Sequence, residues 1–255
     1  MLTVDLGNSR LKASRWCARG SSFERRDVWE GEVGALDGFE RWLARERATI
    51  AALASVAAPA RTELVRALLV TRCERLFVAP NSGLENRCRV PERLGADRLY
   101  AAAGAAALFR CSCVVLDAGT AMTVDALLVQ GETAVFLGGA ISPGPALAAA
   151  ALASGTARLP LVEPRPGARA LGRVTEDAIR AGVVVGFRGS ADRLVEEVAA
   201  EAGLDDALVV LTGGAREFLL VPRPFTARHL EVVPELVERG LLAALVLAAG
   251  APARP

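Results

Sequence analysis

The sequence predicts an α/β protein built from two duplicated half-domains with a cleft between them. The first observation is a repeated turn: an apolar run leads into Asp117, Gly119 and Thr120, and the same Asp-x-Gly-polar pattern occurs near the start of the chain at Asp5–Asn8. The second is that strand-like and helix-like segments follow both turns in a similar order. The third is size, because 255 residues of which 52% are hydrophobic can form two domains with substantial cores.

The first half-domain, residues 1–110, has the element order β-β-β-α-β-α-β, which is that of a ribonuclease-H-like half: a mixed sheet covered by helices. In its second helix we expect Leu64, Leu68 and Leu69 to face inward and Thr62 to be the N-cap. In its first helix we expect Phe39, Trp42 and Leu43 to share one buried side. The predicted elements are strands between Leu2 and Val33, a helix at Leu36–Arg47, a strand at Ile50–Val56, a helix at Thr62–Val70 and a strand at Leu76–Ala79.

An irregular segment, residues 80–94, leads to Gly95-Ala-Asp-Arg98 and then to a helix of mostly small residues, Leu99–Phe109, which is typical of close packing against another backbone. Asp97 and Arg98 therefore lie at or near a helix N-terminus. There the helix dipole stabilises a carboxylate, and free N–H groups can bind an anion. An acid in the first turn is also common in ordinary helices, so the spacing leaves a purely structural role for Asp97 open.

The second half-domain, residues 111–255, repeats the plan. A glycine-rich turn at residues 138–144 precedes a helix begun by a proline, and Thr175 is the N-cap candidate of a long helix. Thr212-Gly-Gly214 follows a buried strand, and such a turn can admit a base or ribose. The predicted elements are strands at Cys113–Leu116, Met122–Leu128 and Thr133–Leu137, a helix at Pro145–Ser154, a loop at Arg158–Ala170, a helix at Thr175–Ala202, strands at Ala207–Leu211 and Leu230–Val233 and a helix at Pro234–Ala249.

Charge composition points to one residue. Lys12 is the only lysine among 30 basic residues, and it lies on the strand that leaves the first turn. A compact ammonium on a flexible stem suits contact with a phosphate, although a single surviving lysine could also be chance. The net charge of +1 gives no overall field for nucleic acid or for an anionic membrane.

Other residue types exclude several kinds of site. The five cysteines form no Cys-x-x-Cys pair, so we expect small buried or bystander residues rather than zinc ligands or disulfides. His229 is the only histidine and is far along the chain from every motif, which argues against a Ser-His-Asp triad or a histidine-bound metal. No apolar run reaches the roughly 20 residues needed to cross a bilayer, and no signal peptide is evident, so we expect a cytoplasmic protein.

Six segments resemble, in order and spacing, those of the type III pantothenate kinases. The two phosphate turns are shared by the wider superfamily of actin, hexokinase and the heat-shock chaperones, whereas Gly95–Arg98 and the compact length are typical of this branch. The resemblance implies an actin-like ATPase fold and ATP-dependent phosphorylation of pantothenate to 4'-phosphopantothenate, the first step of coenzyme A biosynthesis. The segments are Asp5–Ser9 with Lys12, Gly95–Arg98, Asp117–Thr123, Gly138–Gly144, Thr175–Gly182 and Thr212–Gly214.

The same resemblance implies roles for individual residues. Asp97 would be the general base, and Asp117 would coordinate the monovalent cation, potassium or ammonium. Thr175 would reach pantothenate from the partner subunit of a homodimer, and neither nucleic acid nor a membrane is an expected partner. The nucleotide, with Mg²⁺, would be held by Asp5, Leu6, Gly7, Asn8, Ser9, Arg10, Leu11, Lys12 and Thr120. Pantothenate would be held by Cys88, Gly95, Ala96, Asp97, Arg98 and Thr175.

One position departs from the family pattern, and two other functions remain open. Cys88 stands where family members commonly place a substrate-contacting tyrosine, which puts that contact in doubt but not the reaction class. Phosphoryl transfer depends mainly on positioning and charge stabilisation, which these residues can supply. The alternatives are another small-molecule kinase or phosphohydrolase of the superfamily, and a non-enzymatic accessory or regulatory factor with the same fold.

Overall fold

A computed structural model describes residues 1–20, 22–221 and 229–250. The elements in chain order are β1 (Leu2–Leu6), β2 (Arg10–Arg19), β3 (Ser22–Glu32), α1 (Leu36–Leu43), β4 (Ala48–Ser55), α2 (Pro59–Val70), β5 (Cys73–Val78), β6 (Glu85–Asn86), a 3₁₀ turn (Pro91–Arg93), α3 (Ala96–Phe109), β7 (Cys113–Ala118), β8 (Ala121–Gln130), β9 (Thr133–Pro143), α4 (Pro145–Gly155), α5 (Thr175–Ala202), β10 (Leu208–Thr212), α6 (Glu217–Leu220), β11 (Leu230–Val232) and α7 (Leu236–Ala248).

The chain forms two compact units. The first unit consists of Met1–Cys111, Val129–Phe136 and the chain from Glu235 onward, and the second consists of Ser112–Leu128 and Leu137–Pro234. The last helix, α7, therefore packs with the first unit although it is the most distant helix in sequence. The division into half-domains 1–110 and 111–255 stays a prediction.

Both sheets contain the same arrangement of five strands. The first has the order β3-β2-β1-β4-β5, and the second has the order β11-β10-β7-β8-β9-β6. β1 pairs antiparallel with β2 and parallel with β4, and β7 likewise pairs antiparallel with β8 and parallel with β10. Reading β9-β8-β7-β10-β11 against β3-β2-β1-β4-β5 gives the internal repeat that the duplicated turns predicted.

The core of the first unit forms where α1 and α2 cover one face of the first sheet. The predicted buried side of α1 is confirmed, because Phe39, Trp42 and Leu43 are all buried. The prediction for α2 is wrong at Leu64, which is 53% exposed, whereas Val65 is fully buried.

The start of α2 differs from the prediction as well. The helix begins at Pro59 with Ala58 as the N-cap, a position in which proline loses no hydrogen bond. Thr62 is therefore in the first turn rather than at the cap, and its hydroxyl lies 2.6 Å from the hydroxyl of Ser55. This contact ties α2 to the end of β4.

α1 ends at Leu43 rather than at Arg47, and the buried guanidinium of Arg15 explains the stop. Arg15 donates hydrogen bonds to the carbonyls of Glu46, Trp42 and Leu43 at 2.9, 3.3 and 3.2 Å. These carbonyls belong to the last turn of the helix and to the residues just beyond it, where intrahelical partners run out. Its guanidinium carbon also lies 4.5 Å from the centre of the Trp42 ring.

Close packing of α3, predicted from its small residues, is confirmed by its crossing with α7. A Cβ on Gly240 would overlap the backbone carbonyl of Tyr100, and one on Gly104 would overlap the carbonyl of Leu236. The two helix backbones touch where each has a glycine. The hydroxyl of Tyr100 donates to the carbonyl of Pro80 at 2.5 Å, which ties α3 to the start of the irregular segment.

In the second unit, α5 packs along β7, β8 and β10, and two predictions need correction. The N-cap of α5 is Val174, so Thr175 is the first helical residue, while the predicted end at Ala202 is confirmed. The glycine-rich segment 138–144 is not a turn for most of its length, because β9 continues to Pro143. Helix α4 starts with Pro145 as expected.

Several expected properties of the chain can be checked directly. None of the five cysteines forms a disulfide; Cys113 is buried, whereas Cys17 and Cys111 are exposed. His229 is exposed, and its backbone carbonyl accepts a hydrogen bond from Val209. No helix among the described residues is long and apolar enough to span a membrane.

Candidate active site

The first turn is a hairpin that places Asp5 and Lys12 side by side. β1 and β2 are in register with Asp5 opposite Lys12, and the N–H of Gly7 donates to the carbonyl of Arg10 at 2.9 Å. Residues directly opposite on antiparallel strands point to the same face of the sheet. A carboxylate and an ammonium therefore stand together at the turn end of the hairpin, close to exposed Asn8.

The other residues predicted to hold ATP divide between surface and core. Ser9 is exposed, and its carbonyl accepts a hydrogen bond from Val33 at the end of β3. Arg10 is exposed and pairs with Glu30 at 3.1 Å. Leu6 and Leu11 are fully buried in the core, so from these two positions only backbone atoms are available to a ligand.

Asp97 lies at the same end of the first sheet as this hairpin. The N–H of Arg98 donates to Oδ1 of Asp97 at 2.8 Å, at the N-terminus of α3. A Cβ added to Gly95 would be 2.5 Å from that oxygen and 3.8 Å from a methyl carbon of Val56. Val56 in turn donates its N–H to the carbonyl of Leu6 at 3.0 Å, directly after β1. A short chain of contacts thus joins the Asp97 carboxylate to the strand that carries Asp5.

Two of the segments predicted to hold pantothenate, those of Arg98 and Cys88, meet at Phe136, which the sequence did not single out. The guanidinium carbon of Arg98 lies 5.6 Å from the centre of the Phe136 ring, within range of a cation–π contact. The carbonyl of Phe136 accepts a hydrogen bond from Arg87 at 3.0 Å, and the next residue, Cys88, donates its N–H to the side chain of Asn86 at 2.9 Å. Phe136 thereby joins the segment of Cys88 to the helix of Arg98. The local sequence of β9 contains no motif that predicts this role.

In the second unit, Asp117 is enclosed by the Thr-Gly-Gly turn. β10 runs parallel to β7 with Thr212 opposite Asp117. Gly213 has φ +94°, and a Cβ there would overlap both the carbonyl of Ala118 and the carboxylate of Asp117. Ala215 donates its N–H to that same carbonyl at 2.7 Å. Only glycine fits at position 213.

The end of the glycine-rich segment 138–144 lies against the turn that contains Asp117, Gly119 and Thr120. Gly119 donates its N–H to the carbonyl of Ala121 at 3.0 Å, and the carbonyl of Thr120 accepts the N–H of Gly144 at 2.9 Å. Thr123, on β8, is directly opposite Asp117 on β7. Its hydroxyl is buried, and no hydrogen-bond partner for it occurs among the described residues. The region is rich in oxygen atoms: the carboxylate of Asp117, several backbone carbonyls and the hydroxyls of two buried residues, Thr123 and Thr212.

Of the predicted residues in the first unit, Asp5 and Lys12 are directly opposite each other, Asp97 lies at the same end of the sheet, and Arg98 and the segment of Cys88 both contact Phe136. The second unit brings Asp117 and Thr120 together with the two later glycine segments. Thr175 is exposed at the first position of α5.

Comparisons with known proteins agree on one family. A sequence model of the type III pantothenate kinases matches residues 1–197. The type III pantothenate kinase of Thermus thermophilus is 40% identical over 201 residues, which is 75% of each chain. That of Aromatoleum aromaticum is 36% identical over 251 residues, covering 94% of this chain and 96% of the relative.

Solved structures show the fold. A Campylobacter jejuni protein described as a Baf family transcriptional activator is similar with a TM-score of 0.62 at 20% identity, covering 98% of this chain and 100% of that one. A glucokinase from an Antarctic psychrotroph is similar with a TM-score of 0.53 at 12% identity, covering 96% and 98% of the two chains. The predicted fold class, an α/β fold with two duplicated ribonuclease-H-like halves, is confirmed.

At such identities a shared fold says nothing of activity. The description of the Campylobacter protein therefore does not favour a regulatory role here. The family match extends over most of the chain, and close relatives align along nearly its full length. The chain belongs to the type III pantothenate kinase family.

Proposed function

We propose that this protein transfers the terminal phosphate of ATP to the primary hydroxyl of pantothenate, giving 4'-phosphopantothenate. Membership of the family makes it a kinase with ATP as co-substrate. The observation that carries the proposal is the position of Asp97, which the contacts through Val56 place at the same end of the first sheet as Asp5 and Lys12. The Asp97 carboxylate, as proton acceptor, and Asp5 and Lys12, as groups suited to metal and phosphate, therefore lie at the same end of the first sheet.

The hairpin of Asp5 and Lys12 would bind the phosphates. Lys12 would neutralise phosphate charge, and the N–H groups and exposed side chains of Asn8 and Ser9 would face phosphate oxygens. Mg²⁺ in kinases is held by one or two carboxylates and by the phosphates themselves, so Asp5 suffices as the protein's contribution. When bound, Mg²⁺ would neutralise charge that develops on the transferring group. Thr120, in the second unit, would add a contact to the nucleotide.

Asp97 would accept the proton of the attacking hydroxyl. Its Oδ1 is held by the N–H of Arg98, which fixes the carboxylate at the start of α3. Phosphoryl transfer needs little basicity, so a positioned carboxylate is sufficient. Arg98 would pair with the pantothenate carboxylate, while Gly95, Ala96 and Cys88 would line the same site.

The experiment is a coupled assay with pantothenate, ATP and Mg²⁺ on wild type and on Asp97→Asn. We expect a loss of kcat of roughly 100-fold or more, the usual range for removal of a general base. Asp37→Asn is the matched control, because Asp37 is also an acid in the first turn of a helix and is exposed on α1. Asp97→Asn with the activity of the control would exclude Asp97 as the base.

Asp117 would coordinate potassium or ammonium. Hard cations take oxygen ligands. In the second unit the carboxylate of Asp117, the carbonyl of Ala118 and the buried hydroxyl of Thr123, which has no hydrogen-bond partner within the described ranges, offer that donor set. When bound, the cation would add positive charge next to the nucleotide. The assay repeated with sodium replacing potassium at equal ionic strength tests this, and equal rates would contradict it.

We further propose a homodimer that acts in the cytoplasm, where ATP is supplied. Support for the dimer comes from large apolar side chains that are exposed on β9, on α4, on the loop after it and on α5. They are Ile141, Leu147, Leu152, Leu161, Leu171, Val174 and Val185. Exposed apolar residues concentrated in one region mark interaction surfaces. Thr175, exposed beside Val174, would reach the partner's pantothenate. Sedimentation of the purified chain would show a single species of twice the chain mass.

A further inference from the structure

Glu238 is a buried acid that the proposed chemistry does not use. It lies in the first turn of α7, only 2% exposed. Among the described residues its Oε2 has no hydrogen-bond partner. Burial raises the pKa of its carboxyl group, because the charged form loses water. An unsatisfied buried acid is costly, so its presence on an otherwise apolar helix face calls for a reason.

The packing of α7 shows which part of the sheet Glu238 faces. Leu242 and Val246 of α7 pack on Trp16 of β2. Glu238 precedes them by one and two helical turns, so all three lie on one side of the helix. On β2, alternate residues share a face, so Lys12 points to the same side of the sheet as Trp16. Glu238 thus lies on the face of the sheet that carries Lys12.

The charges around Glu238 single out Lys12 as its partner. Arg25 and Arg239 both pair with Glu235, at 3.7 and 2.8 Å. Of the charged groups that act on the pKa of Glu238, Lys12 has the largest effect and lowers it; Arg25 lowers it less, and Glu235 raises it. The sole lysine of the sequence is therefore the main cation acting on this buried carboxyl.

The residues opposite Lys12 on the neighbouring strands add to the case for a role of Glu238 in positioning Lys12. Lys12 is opposite Asp5 on β1 and opposite Glu30 on β3. We propose that Glu238 is a positioning residue for Lys12: from α7, which packs on the same face of the sheet, its carboxyl group restricts the Lys12 side chain to conformations that reach phosphates at the first turn. This inference rests on the proposed binding of ATP phosphates there.

The physical gain is conformational entropy. A lysine side chain has about 2 kcal/mol of rotamer entropy, and immobilising such a side chain on binding costs about 0.5–1.5 kcal/mol. A fixed anion behind the ammonium lowers that cost before ATP arrives. Glutamine at position 238 keeps the shape but removes the charge, so ATP must then order Lys12 itself.

The experiment is a double-mutant cycle on the full chain, measuring ATP binding with Mg²⁺ by calorimetry without pantothenate. We expect Glu238→Gln to weaken ATP binding by about 3- to 10-fold, which matches the ordering cost above. In the Lys12→Ala background the same change should have no further effect. Steady-state kinetics should show a raised KM for ATP with kcat within about 2-fold. Glu235→Gln, the same chemical change three residues away, is the control and should bind ATP like wild type.

Thermal unfolding separates this role from a structural one. Glu238→Gln removes the charge of a buried carboxyl group, so it should keep or raise Tm under the proposal. A purely structural role for Glu238 would instead lower Tm in this variant and leave ATP affinity unchanged. The inference is overturned if Glu238→Gln binds ATP as tightly as wild type. It is also overturned if Glu238→Gln weakens ATP binding by the same factor in the Lys12→Ala background as in wild type. In both cases the phosphate role of Lys12 stands. Lys12→Ala with wild-type affinity overturns the phosphate role of Lys12 and the inference with it. Because the binding assay contains no pantothenate, it tests the role of Glu238 independently of whether the protein phosphorylates pantothenate, which the coupled assay tests.

Discussion

Tyr100 gives a prediction that tests the packing of α3 by pH alone. It is the only tyrosine in the sequence, so any tyrosinate absorbance comes from this residue. Its side chain is 1% exposed and donates to the carbonyl of Pro80. Burial raises the pKa of Tyr100 from 10.0 to about 12, because a phenolate there would be without water.

The sign and the size of the effect of pH on stability follow from the linkage between proton binding and folding. A pKa that is higher in the folded state contributes stability that is complete below the unfolded pKa and is lost as pH rises through the folded pKa. For Tyr100 the window is pH 10 to about 12. Two pKa units correspond to roughly 3 kcal/mol, so unfolding should become easier by about that amount across the window.

The assay is an alkaline titration followed by near-ultraviolet absorbance for tyrosinate and by circular dichroism for helix content. We expect tyrosinate to appear only near the upper end of the window or together with loss of helix. Tyr100→Phe should lack the absorbance change and lose about 1 kcal/mol at neutral pH through the missing hydrogen bond. A tyrosinate transition centred near pH 10 in protein that is still folded would refute the burial argument.

Three further outcomes are expected. Gly240→Ala forces a Cβ into the Tyr100 carbonyl and should lower the free energy of unfolding by about 2–3 kcal/mol in thermal unfolding. Gly189→Ala on α5, where a Cβ would meet open space, is the control and should leave that free energy unchanged or raise it by up to about 1 kcal/mol. Equal Tm values for the two variants would contradict the close crossing of α3 and α7. Arg15→Met should lower the free energy of unfolding by about 3 kcal/mol, because carbonyls at the end of α1 lose their hydrogen bonds. Arg19→Met, which breaks only an exposed ion pair with Glu24, should lower it by less than about 1 kcal/mol. Similar losses in the two variants would show that the buried hydrogen bonds of Arg15 are weak. Asp117→Asn should abolish activation by potassium in the coupled assay, and an unchanged response would remove Asp117 from the cation site.

Local motifs predicted the first hairpin and the helix N-terminus beside Asp97, because glycine turns and helix starts depend on neighbouring residues. Asp5 and Lys12 face each other across that hairpin, and Asp97 lies in the first turn of α3, which begins at Ala96 rather than at the predicted Leu99. The segment 138–144 was mistaken for a turn because glycines also occur in strands. Thr62 and Thr175 look like helix caps, yet Ala58 and Val174 occupy those positions.

The residues that sequence reasoning missed come from distant parts of the chain. Phe136 lies beneath Arg98 only because β9 pairs with β6. Glu238 had one local signal, an acid in the apolar stripe that Leu242 and Val246 continue, but nothing in the sequence says which face that stripe covers.

By itself the sequence determined the two acidic glycine turns and the Gly95–Arg98 segment, whose combination indicates the type III pantothenate kinase family, because each motif consists of residues within a few positions of one another. Only the tertiary structure decided the strand order, the partners of each turn and the return of α7 to the first unit. These depend on burial and backbone pairing between segments separated by up to the length of the chain, which no local pattern encodes.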